Sequence, residues 1–97
     1  MAPTYSWTNH DIGQWTLDTP DTRQLEVRYV DSREGRRWLW RCAAGESCAE
    51  LCGWAKNFDL AKVRVLLAWR DTASPDAWAE LTFGTIQHLV RKDPSYV

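Results

Sequence analysis

An α+β architecture is expected from this chain: an antiparallel sheet of about four strands packed by two helices, in the order β-β-β-α-β-α, with an extra N-terminal strand left open. Residues 24–43 alternate apolar and polar side chains on either side of a turn, which is the pattern of a half-buried hairpin. Helix-start signals at Ser47 and Ser74 each precede apolar residues at helical spacing. At 97 residues, with 44% hydrophobic and 26% charged side chains, the chain is expected to form a single compact domain spanning residues 1–97.

Tyr5 and Trp7, then Trp15 and Leu17, flank the loop-like run Asn9-His10-Asp11-Ile12-Gly13 and read as a first hairpin. In the second hairpin, a turn at Ser32 to Gly35 sets Tyr29 opposite Trp38, Val27 opposite Trp40 and Leu25 opposite Cys42 on one face, and Glu26 opposite Arg41 on the other. A slip of one residue would turn every aromatic ring to solvent, so pattern and turn agree on the register. Ser47 and Glu50 form a capping box, and Cys48, Leu51, Cys52 and Ala55 follow at helical spacing, which predicts a short helix from about Cys48 to Asn57. Lys62 to Arg70 fits either a strand or a helix capped by Asp59. Its β-branched residues and the alternation of Val63, Val65, Leu67 and Trp69 favour the strand. Ser74-Pro75 opens a last helix carrying Trp78, Leu81, Ile86, Leu89 and Val90 on one face, although Thr82, Phe83, Gly84 and Thr85 speak for a strand there.

The chain is rich in tryptophan, with seven rings. Trp7, Trp15, Trp38 and Trp40 fall at inward strand positions, Trp69 and Trp78 on core faces of later elements, and only Trp54 stands off the apolar stripe of its element. Net charge is −1 but unevenly placed. Residues 23–43 hold six arginines against Glu26, Asp31 and Glu34, a net +3, whereas residues 1–22 carry Asp11, Asp18 and Asp21 and no Lys or Arg. The longest apolar run, Val65 to Trp69, is far shorter than the roughly 20 residues of a membrane span, and the N-terminus lacks a signal pattern, so a cytoplasmic location without membrane contact is expected.

Three cysteines, Cys42, Cys48 and Cys52, make an odd count with no secretion signal, which points to reduced thiols buried as small apolar residues. The competing reading is a zinc site completed by His10 or His88, although only one pair has knuckle-like spacing. A cysteine nucleophile at Cys48 would need a histidine base, and nothing in the sequence ties His10 or His88 to it. The order of three antiparallel strands, a helix, a strand and a helix resembles the ribonuclease H-like fold, with Asp18, Glu50 and Asp71 at comparable places. That resemblance implies two bound metal ions and phosphodiester hydrolysis. The chain departs from the family by lacking the glycine after the first aspartate and the closing strand and helix.

Weighing these, the chain is expected to be a non-enzymatic protein-binding module without cofactor or metal. It would act as a regulator or inhibitor that occludes a larger partner, as small bacterial or phage-encoded inhibitors do. The binding residues expected are Arg28, Arg37, Leu39 and Arg41 on the outer hairpin face, Arg33 and Arg36 at its turn, and Trp54 with Phe58 as an apolar anchor. The partner expected is a protein with an acidic or nucleic-acid-binding surface. Nucleic acid itself is disfavoured because Trp38 and Trp40 project away from the arginines and the net charge is near zero. A homodimer is left open.

Overall fold

The computed structural model of the chain describes residues 5–21, 23–32, 35–42 and 51–91, without the side chains of residues 32, 35 and 36. Five antiparallel strands form one sheet in sequence order: β1 (Thr8–Asp11), β2 (Gln14–Asp18), β3 (Gln24–Ser32), β4 (Gly35–Cys42) and β5 (Leu51–Ala55). Three helices follow, α1 (Phe58–Thr72), α2 (Pro75–Ala79) and α3 (Phe83–Leu89). The architecture is α+β, with one strand more than the sequence predicts.

The central hairpin pairs as its alternation requires. Leu25 lies opposite Cys42, Val27 opposite Trp40 and Tyr29 opposite Trp38, with Glu26 opposite Arg41 on the other face. Ser32 and Gly35 pair as the last rung, so each strand runs one residue further into the turn than the sequence suggests. The first hairpin is shifted. Its strand begins at Thr8, Asn9 to Asp11 belong to the strand through an irregular register, and the turn shrinks to Ile12 and Gly13. Gly13 supplies the turn's positive φ of 75° and abuts Tyr29, whose backbone N–H donates to the Gly13 carbonyl at 2.7 Å.

Two element assignments are corrected. The helix expected from Cys48 to Asn57 is strand β5 over its described part, Leu51 to Ala55, while the capping box at Ser47 and Glu50 lies outside the described residues. The strand expected from Lys62 to Arg70 is the interior of α1. Asn57 rather than Asp59 caps this helix, its side chain accepting from the Leu60 N–H at 2.8 Å. Phe58, Ala61, Lys62, Val65, Leu66 and Trp69 form the buried stripe, spaced three and four apart as one helical face demands. The last helix is two: α2, capped by Ser74 with Pro75 in its first turn, ends before Leu81, and Thr82 caps α3 anew.

The core lies between one face of the sheet and α1. Leu17, Leu25, Val27, Trp38, Cys42 and Ala55 meet Phe58, Ala61, Val65, Leu66 and Trp69, with Ala77, Leu81 and Leu89 closing the end. The Phe58 ring stands 5.2 Å from Trp15 and 5.1 Å from Trp38, and Trp78 packs 6.0 Å from Trp69. Trp7 precedes β1 instead of lying within a strand, and its Nε1–H donates to the Leu89 carbonyl at 2.9 Å, tying the N-terminal segment to α3. No described helix is long and apolar enough to cross a membrane.

Candidate functional site: the outer sheet face and the β5–α1 corner

Strand alternation decides what the other face of the sheet carries. Because Leu25, Val27, Trp38 and Cys42 point to the helices, their neighbours Glu26, Arg28, Arg37, Leu39 and Arg41 point away. Strand β5 continues the pattern: Trp54 lies opposite Leu39 and Cys52 opposite Arg41, both on this outer face. No described helix packs there. Its centre is the cross-strand pair of Leu39 and Trp54, the ring 44% exposed, with Arg28 and Arg41 at its side and Arg37 toward the hairpin end.

Glu26 is the acid set among these arginines. Its carboxylate receives Arg28 at 3.4 Å, Arg41 at 3.9 Å and the Gln14 side-chain amide at 3.1 Å. Both arginines are about half exposed, so these pairs orient the guanidinium groups more than they stabilise the fold. Arg28, Arg37 and Arg41 thus surround Leu39, the first opposite it on β3 and the other two on either side of it along β4. Toward the first strands the face turns polar, with Gln14, Asp18 and Thr16, over which His10 leans through a contact to the Thr16 hydroxyl.

At the edge of the sheet β5 runs into α1. Arg64 of α1 donates from Nη1 to the Trp54 carbonyl at 2.8 Å, occupying a backbone acceptor of the terminal strand. Arg37, Trp54, Ala55, Lys56 and Arg64 line a cleft of about 320 Å³ at this corner. Lys56 and Arg64 are contributors the sequence reading missed. The alternation around Arg64 reads as a strand, and only the helical spacing of its neighbours 58, 61, 62, 65 and 69 shows where it points.

Several expected site residues fall elsewhere. Phe58 is not an exposed anchor: it is 2% exposed, clasped by Trp15 and Trp38 with the Lys62 ammonium 4.6 Å from its ring centre. Arg33 lies outside the described residues, and Arg36 is placed on β4 opposite Asp31 by its backbone alone. Among the arginines of the basic segment, Arg23 is structural. Its guanidinium lies 2.9 Å from the Asp21 carboxylate and donates to the Thr72 hydroxyl at 2.6 Å.

The competing chemistries find little geometric support. Cys42 is buried on the helix-facing side and Cys52 exposed on the outer side, so the sheet itself separates them; Cys48 lies outside the described residues. Among the described residues no group of three His, Cys, Asp or Glu side chains is placed to hold a metal ion. Asp18 ends β2 on the outer face, whereas Asp71 lies in α1 on the opposite side instead of following a strand, and Glu50 is outside the described residues. The ribonuclease H-like order does not hold among the described residues either, since their five strands precede α1. His10 on β1 and Cys52 on β5 occupy opposite edges of the sheet, and His88 belongs to α3. Compared with protein-family models, curated proteins and solved structures, the chain matches none.

Proposed function

We propose that the chain is a non-enzymatic binding module that recognises an acidic surface of a larger protein with the outer face of its sheet, and regulates or inhibits that partner by covering it. The supporting observation is the composition of that face: an apolar centre, Leu39 and Trp54, flanked by Arg28, Arg37 and Arg41. Such a centre with a charged border is what a protein interface uses, the aromatic ring supplying buried area and the arginines supplying orientation and association rate. Glu26 among these arginines and Asp18 at their margin break the continuous positive track that a phosphate backbone would follow, which favours a protein over a nucleic acid.

The test is affinity capture from the native host with the wild-type chain, the double variant Arg37→Glu with Arg41→Glu, Trp54→Ala, and the helix-side control Gln87→Glu. A single protein retained by wild type and control, and reduced at least about tenfold by both face variants, supports the reading. Near-ultraviolet circular dichroism confirms that each variant is folded. Retention unaffected by charge reversal, or captured material that nuclease treatment removes, overturns it.

A further inference from the structure

The corner between β5 and α1 concentrates positive charge from three separate elements. Arg37 comes from β4, Lys56 from the connection after β5, and Arg64 from the second turn of α1, and none of the described residues lining the cleft they share is a carboxylate. Lys56 and Arg64 thus bring two cations to the cleft, and the field of two like charges held near one another favours an anion between them. Arg64 is fixed by its bond to the Trp54 carbonyl, which uses one of its five N–H donors and leaves the guanidinium pre-positioned with donors to spare. Lys56 is exposed and has no hydrogen bond or ion pair of its own among the described residues. Arg37 has interactions of its own, so the anion would be held by Lys56 and Arg64. The apolar wall is the half-exposed ring of Trp54.

We propose that this cleft binds the phosphate group of a phosphate monoester, with the organic part of the ligand resting on the Trp54 ring. Guanidinium and ammonium donors at one point are the protein chemistry suited to a phosphate, and an indole face beside them accepts a planar or apolar substituent. A volume of about 320 Å³ stands at the small end of the range for small-molecule sites. Trp54 and Arg37 belong to both surfaces, but Lys56 and Arg64 lie outside the outer sheet face, so variants at these two positions test this site apart from the protein-binding reading.

The experiment is a titration of the full chain with inorganic phosphate, adenosine monophosphate and N-acetyl-phosphotyrosine amide, followed by the amide and indole NMR signals of residues 54–56 and 64. Saturable shifts confined to that corner are expected, with at least one monoester binding more tightly than inorganic phosphate. A preference for the nucleotide would assign a nucleotide ligand, and a preference for phosphotyrosine a phosphorylated side chain. Lys56→Glu and Arg64→Gln should each weaken binding about tenfold, while Arg70→Gln, in the last turn of α1, leaves it unchanged. Trp54→Ala should remove the advantage of the monoester over inorganic phosphate. No saturable shift, or binding that survives Lys56→Glu undiminished, overturns the proposal whatever the protein capture shows.

Discussion

Gly53 illustrates how one residue can be dictated by a neighbour across the sheet. It sits on β5 opposite Trp40, and a Cβ built there would lie 2.5 Å from Cζ2, 2.7 Å from Cε2 and 2.9 Å from Nε1 of that indole. The ring therefore lies flat over the strand and occupies the space a side chain would take. An aromatic ring in a packed sheet cannot bend aside as a lysine tip can, so Gly53→Ala should destabilise the fold by roughly 1–3 kcal/mol. Urea unfolding measures this, and Gly53→Ala combined with Trp40→Leu should recover part of the loss. A single variant as stable as wild type would show that the indole does not cover β5. Trp40, expected at an inward core position, is partly buried, and its Nε1 is enclosed without a hydrogen-bond partner among the described residues.

Among the elements, those with a strong side-chain signal were legible and those shaped by their neighbours were not. The β3–β4 register could be read rung by rung, because six apolar or aromatic positions, Leu25, Val27, Tyr29, Trp38, Trp40 and Cys42, alternate about one turn. Strand β5 gave no such signal: its inward residues are Leu51, Gly53 and Ala55, kept small by Trp40 and α1, and the leucine and alanine fell equally well on a helical stripe with the cysteines. In α1 the alternation of Val63, Val65, Leu67 and Trp69 mimicked a strand, while the true stripe was hidden because one of its members is Lys62. Of the binding surface, the outer arginines and the exposure of Trp54 were readable from alternation and from position. The burial of Phe58 and the contribution of Arg64 were not, since both follow from the identity of α1. How α1 attaches to the sheet gives a pH dependence. Asp21, in the β2–β3 connection, accepts from Trp69 Nε1 at 3.0 Å and from Arg23 Nε at 3.0 Å. Burial pushes its carboxyl pKa up, but the hydrogen bonds from Arg23, Thr19 and Trp69 outweigh it and bring the value down from 3.8 to about 2. The unfolded chain therefore takes up this proton first on acidification. The stability Asp21 contributes is complete above 3.8 and is lost as pH falls through 3.8 toward about 2. Unfolding midpoints in urea should show a shallower decline over that window for Asp21→Asn than for wild type, and parallel declines would refute the linkage.

Across the whole molecule, stability should be graded from the centre of the sheet outward to the last helices. Strands β3 and β4 are paired on both sides and covered by α1, whereas α2 and α3 are short and present Phe83 and Gly84 to solvent. The end of α3 is secured at few points: the buried Leu89, the Trp7 Nε1 bond to its carbonyl, and Lys62, whose ammonium donates to the Arg91 carbonyl at 2.6 Å. Lys62 is itself held by the Asp59 carboxylate at 3.3 Å and by the face of Phe58. One buried cation thus joins the start of α1 to Arg91, two residues past the end of α3. Lys62→Met keeps the apolar stem and removes the charge-assisted bond, a change of about 1.5 kcal/mol. If that bond is what closes the helical end, hydrogen exchange of the α3 amides should accelerate about tenfold in the variant. The β3 and β4 amides, which open only with the whole fold, should then change less than those of α3. Equal acceleration in sheet and helix would mean instead that α3 unfolds with the core, and that the molecule is one cooperative unit from β1 to its last helix.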